Sequence, residues 1–201
     1  MSPGTLPHPD MHLLLDILQA AGVCAAIGVR PFLPVLLVGG LASKDWGLSF
    51  DGTQFAFLEA PWFLLVVAAV FAVTTVLRSR FESGQGEAAL SGLAIGLGAL
   101  SFAGQLDDRH SVWWPGLIAG AALAYLGWTA AHSLLTRVRG RLDAQAAGAL
   151  FIYAELFAVA LAGLSVLFGP LGLIGVAFLL FLLRGSRRRD DEKHAGLRIL
   201  R

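Results

Sequence analysis

The sequence predicts an all-α fold, a polytopic membrane bundle of about six transmembrane helices whose first span is broken at Arg30-Pro31. Three observations predict it. Of the 201 residues, 56% are hydrophobic and only 14% charged, and the mean hydropathy is +0.71, far outside the balance of soluble domains. The apolar residues fall into runs comparable with the roughly 20 residues that cross a bilayer core. Finally, Lys and Arg collect in alternate connections between those runs, as the positive-inside rule requires.

The runs are Leu13–Ala42, Pro61–Leu77, Ala88–Gln105, Val112–Leu135, Ala144–Phe168 and Leu171–Leu183. Gly169-Pro170 marks the fifth turn, because Pro cannot continue a helix and Gly frees the backbone. The last run is short, and Arg184 beside it can snorkel to the interface. Residues 1–186 read as the transmembrane domain and 187–201 as a basic cytoplasmic tail. Met1 to Met11 carries no Lys or Arg, unlike a secretory signal, so the segment is expected to be retained.

Arg78, Arg80, Arg137, Arg139, Arg141 and the basic tail fall on one side of these crossings, against Lys44 and Arg109 on the other. With an even number of crossings, both termini are expected in the cytoplasm of a bacterial inner membrane. Trp46, Trp62, Trp113 and Trp114 fall at the opposite ends of the spans, where aromatic belts form. Gly92-x-x-x-Gly96 and Gly116-x-x-x-Gly120 allow close helix packing. The lipid bilayer is the principal partner. Arg187–Arg189 add a possible contact with anionic headgroups, and the small chain points to a homo-oligomer. No aromatic residues interleave with the charges, so nucleic acid is not expected. Cys24 is the only cysteine, which excludes an internal disulfide.

The stretch Gly28-Val29-Arg30-Pro31-Phe32-Leu33-Pro34 breaks the first run. A helix over Leu13–Ala42 would be about 45 Å long against a core of about 30 Å. Pro31 and Pro34 each remove a backbone donor, and Arg30 is pushed from helical dihedrals by the proline that follows. Two half-helices should therefore meet inside the membrane, with Pro31 opening the second. Its positive end and the Arg30 charge together would favour an anionic group.

Glu155, near the centre of the fifth span, is the counter-charge. Ala158 and Ala162 share its helical face, which places it inside the bundle. An intramembrane ionisable residue marks a functional site; the alternative is a purely structural Arg30–Glu155 pair. His132 shares a face with Tyr125 and Trp128, or lies at the interface with its tip in water. Asp16 and Gln19 are expected at the inner end of the first span, facing the same vestibule. Asp143 and Glu87 read as helix-start acids. Asp107-Asp108-Arg109-His110 reads as a solvated turn. Signatures for catalysis, metal ligation or cofactor binding are missing.

Gly28-Val29-Arg30-Pro31-Phe32-Leu33-Pro34 resembles the G-x-R-x-F-L-P signature of a bacterial integral-membrane family of unknown function, DUF 4126. Gly127-Trp128-Thr129-Ala130-Ala131-His132 and Tyr153-Ala154-Glu155-Leu156 extend the resemblance over most of the chain. Leu134-Leu135-Thr136 and Gly140-Arg141-Leu142 depart from it, as in a divergent branch. The resemblance implies a helical membrane architecture and singles out Arg30, Pro34, His132 and Glu155, without implying an activity. Taken together, the residues favour a small transporter or channel with a mid-membrane polar site. The alternatives are a membrane enzyme acting on lipid headgroups through His132 with Asp16 or Asp143, and a non-catalytic scaffold.

Overall fold

The computed structural model describes residues 9–77, 84–110, 113–139 and 144–198; Arg78, Arg80, Arg141 and Asp143 lie outside them. Among the described residues seven α-helices form a bundle: α1 (Pro9–Val29), α2 (Phe32–Ala42), α3 (Pro61–Val76), α4 (Gln85–His110), α5 (Trp114–Arg139), α6 (Ala144–Leu167) and α7 (Gly169–Arg198). The described residues contain no strand. Segments Gln85–Asp107, Trp114–Arg139 and Gly148–Leu167 are each long and apolar enough to cross a membrane. Leu13–Val29, Phe32–Ala42, Pro61–Val76 and Gly169–Gly185 are shorter apolar segments.

The break occurs where the prolines place it. The Arg30 N–H still bonds to the Ala26 carbonyl at 3.0 Å, so α1 keeps its ladder to its last turn. Pro31 then caps α2 with φ −73°, an angle its ring pre-sets.

The two half-helices do not continue one another, which corrects the expectation of one broken crossing over Leu13–Ala42. They fold back as an antiparallel hairpin. Gln19 Nε2 in the middle of α1 donates to the Gly47 carbonyl beyond α2 at 3.0 Å, so the far end of α2 lies back beside α1. Phe32 at the start of α2 packs on Phe71 late in α3, with centroids 5.9 Å apart. Gly39 near the end of α2 faces Leu58, just before α3, and Leu64 in the first turn of α3. Along α1, Gly22 abuts Ser165 near the end of α6, whereas Arg30 reaches Glu155 in its middle. A hydropathy run cannot distinguish a through-crossing from a hairpin when only two residues separate the helices. Contacts decide it.

Pro9 and Arg198 therefore lie at opposite ends of the bundle, not at one end as the even crossing count implied. One end carries Trp46, Trp62 and Trp114, all exposed, with the Trp113 ring tilted against Phe55 at 6.3 Å. The other end carries Arg137, Arg139 and Arg184. Residues 43–60 close the tryptophan end as a packed cap. Phe50 is fully buried and its N–H bonds Glu59 Oε2 at 3.1 Å. The Gln54 N–H approaches Asp107 Oδ2 at 3.4 Å. Asp107 belongs to the last turn of α4, so the expected solvated turn is the end of a helix. At the basic end α7 runs through the charged residues to Arg198 without a break.

The bundle is centred on α1, whose residues 23–29 are buried throughout. Small residues permit this. A Cβ on Gly28 would collide with the Ala124 carbonyl of α5, and one on Gly127 with the Ala25 carbonyl of α1. Gly116 and Gly120 likewise face the α4 backbone at Ala103 and Ala99. Gly92 and Gly96 have nothing within 4 Å of the position a Cβ would take, so only one of the two expected glycine spacings packs helices within the chain. Gly92→Ala should leave assembly intact and raise the melting temperature slightly, since Ala is favoured in helices by about 1 kcal/mol. A fall in melting temperature would show that another surface occupies that face.

Candidate functional site

The turn between α1 and α2 forms the floor of a cavity of about 350 Å³. Its walls come from α3, α4, α5 and α6, and its polar residues extend toward the basic end. Glu155 lies about 18 Å along α6 from Leu167, which places the floor near the middle of the bundle.

Arg30 Nε lies 3.7 Å from Glu155 Oε1, with side chains 17% and 8% exposed. The Arg30 guanidinium carbon sits 4.4 Å from the centroid of the Phe151 ring, a cation–π geometry worth about 0.5–2 kcal/mol. Phe151 precedes Glu155 by one helical turn, so both reach Arg30 from the same face. Ala158 and Ala162 are fully buried, and the small face they form turns Glu155 inward as expected. Glu155 Oε2 is buried and accepts no hydrogen bond among the described residues.

Closer to the basic end, His132 Nδ1 lies 3.2 Å from Glu87 Oε1, with side chains 47% and 35% exposed. Thr136 Oγ1 lies 3.3 Å from His132 Nε2. The imidazole also stacks on Trp128 at 6.2 Å and 17°. Glu87, His132 and Thr136 thus form a polar row along one wall, and Arg139 lines the same wall. These residues are half-exposed.

No protein-family model matches this sequence, and comparison with curated proteins and with solved structures finds no match. The site is therefore read from its own geometry.

Of the residues expected to share a pathway, Arg30, Glu155 and His132 line this one cavity. Asp16 does not. Its turn of α1 lies at the tryptophan end, where the neighbouring Leu15 carbonyl faces Gly169. The reversal of α2 explains the displacement, because it puts the start of α1 opposite the basic end. Gly28, Pro31 and Pro34 act structurally, the first at a helix crossing and the other two in the hairpin. Tyr125, expected on the polar stripe, is 59% exposed and lies outside the cavity.

Three contributors were not anticipated. Phe151 was legible as the residue four before Glu155. Glu87 was read only as a helix-start acid, although its carboxylate meets His132. Arg139 counted only toward the charge bias. Among the described residues no group of three His, Cys, Asp or Glu side chains is placed to hold a metal ion. Cys24 is buried with its Sγ on the Gly98 carbonyl at 3.1 Å and plays a packing role.

Proposed function

We propose that this protein is a small transporter or channel of the bacterial inner membrane whose solute enters from the basic end and reaches the Arg30–Glu155 pair. The observation that carries this reading is the place of that pair: two ionisable groups at mid-depth, Arg30 on a non-helical turn and Glu155 in the middle of α6, both bordering a cavity. Broken backbone and charge at such depth are tolerated where protein or water surrounds them. They recur where solutes cross at the tips of discontinuous helices.

In this reading α3 to α7 cross the bilayer and the α1–α2 hairpin enters from the tryptophan side and returns to it. The Lys/Arg bias then puts the C-terminus in the cytoplasm and Pro9 outside. Reporters fused ahead of Pro9 and after Gly185 should be active on opposite sides of the membrane. Activity of both on one side would restore the single broken crossing.

The Thr136–His132–Glu87 row favours a second reading, in which interfacial chemistry acts on lipid headgroups. Of its two expected partners, Asp16 is at the other end and Asp143 lies outside the described residues, so Glu87 takes that place. Sidedness separates the two. In a Cys24→Ala background, Thr136→Cys at the mouth and Ala131→Cys on the wall would be exposed to a membrane-impermeant thiol reagent. A transporter should allow Ala131→Cys to be modified from either side as the site alternates. Modification from the basic side alone would overturn transport and leave the interfacial reading.

A further inference from the structure

The charges at the floor of the cavity restrict what it can hold. A guanidinium is protonated at any physiological pH, whereas a carboxylate can be neutralised by one proton. The Arg30–Glu155 pair is therefore either neutral or positive and never negative. The start of α2 lies at the same turn and adds a partial positive charge. Glu155 Oε2, buried beside the guanidinium without a hydrogen bond among the described residues, is the atom that can accept the proton. Once protonated it becomes a donor.

We infer that the cavity binds a small organic oxyanion, a carboxylate or sulfonate with an apolar body, together with one proton that neutralises Glu155. This rests on the solute-pathway reading of the same site. The anion takes the place of the Glu155 carboxylate on Arg30, and the proton comes from solvent to Oε2. Binding thus adds one negative and one positive charge to the site and leaves its net charge unchanged. Phe151 holds the guanidinium from its ring face, so the cation stays in place when its counter-charge is exchanged. Trp128 and Phe71 supply apolar wall, which suits an organic body better than a bare inorganic ion.

The other ionisable groups on the cavity wall do not reverse this balance. Glu87 and His132 pair at the mouth, and Arg139 adds a cation there. From α3 the wall receives Phe71, Thr74 and Thr75, none of them ionisable. The α2 segment contains no ionisable residue, and Arg184 of α7 is exposed.

The test uses the purified full-length chain in detergent with benzenesulfonate, which remains ionised throughout the pH range used. Binding is read from tryptophan fluorescence, with Trp128→Phe identifying the reporter, and from proton uptake in weakly buffered solution. Wild type should take up about one proton per anion, and Kd should rise about tenfold per pH unit once Glu155 is ionised. His132→Gln should keep that slope, which separates Glu155 from the imidazole at the mouth. Glu155→Gln should bind with a Kd independent of pH and without proton uptake. Arg30→Gln should lose binding, and Arg30→Lys should keep the pH slope at reduced affinity, which guards against a misfolded Arg30→Gln.

An unchanged pH slope in Glu155→Gln, or anion binding without proton uptake in wild type, would overturn the linkage. Failure of benzenesulfonate, benzoate and inorganic sulfate to bind at any pH would overturn the anion class. In that case two-sided modification of Ala131→Cys would still uphold a pathway, and one-sided modification would remove it as well.

Discussion

Gly28→Leu is expected to prevent assembly of the bundle. At this position α1 and α5 touch backbone to backbone, and even a methyl group would strike the Ala124 carbonyl. Ordinary overpacking costs about 1–3 kcal/mol because neighbouring side chains can shift. Here the obstacle is the main chain of α5, locked by its own helical hydrogen bonds, so the helices must separate. Separation would also uncover Ala25, Ala26 and Ile27, which are fully buried. Gly127→Leu meets the same crossing from the other side and should fail likewise. Size-exclusion profiles and thermal melts in detergent would check both. A monodisperse, cooperatively melting Gly28→Leu protein would show that the α1–α5 contact is not as close as described.

Arg30→Gln is expected to lower stability at neutral and alkaline pH by about 3–5 kcal/mol, because it strands the Glu155 carboxylate without a counter-charge. The loss should shrink as pH falls, since a protonated Glu155 needs no cation. Glu155→Gln should cost far less. Its partner Arg30 is 17% exposed, borders the cavity and keeps the Phe151 ring. The asymmetry is the measurable point, read as thermal melts of both single variants and the double variant across pH. Equal losses restored in the double variant would identify a mutual structural pair that does not exchange its charge.

Much of the architecture was legible because bilayer chemistry constrains composition so strongly. The limits of α3 and α6 fall within a residue of their apolar runs, where Pro61 starts one and Gly169-Pro170 follows the other. The break at Arg30-Pro31 was legible for the same kind of reason, since a missing N–H is a local fact. The direction of the chain after the break was not. Hydropathy depends on residue identity alone and is the same whether α2 continues α1 or reverses beside it. That one ambiguity misplaced Asp16 and put both termini at one end. The Arg30–Glu155 pairing was legible because two charges in apolar spans have few other partners. The Glu87–His132 pairing joins residues from two helix ends that each satisfied a commonplace explanation, so neither advertised the other.

The position of α1 has a consequence for how the protein is made. Helices emerge from the ribosome in order and tend to settle as they appear. The element at the centre of this bundle is synthesised before α2 to α7, yet most of the surfaces that enclose it belong to α4, α5, α6 and α7. Until α6 is made, Arg30 has no Glu155 to meet, and the narrow grooves around Gly22 and Gly28 have no helices to fill them. The α1–α2 hairpin must therefore wait while α3 to α7 are delivered. Insertion and assembly run in opposite orders, and a nascent chain stopped before α6 holds an unfinished centre instead of a smaller bundle.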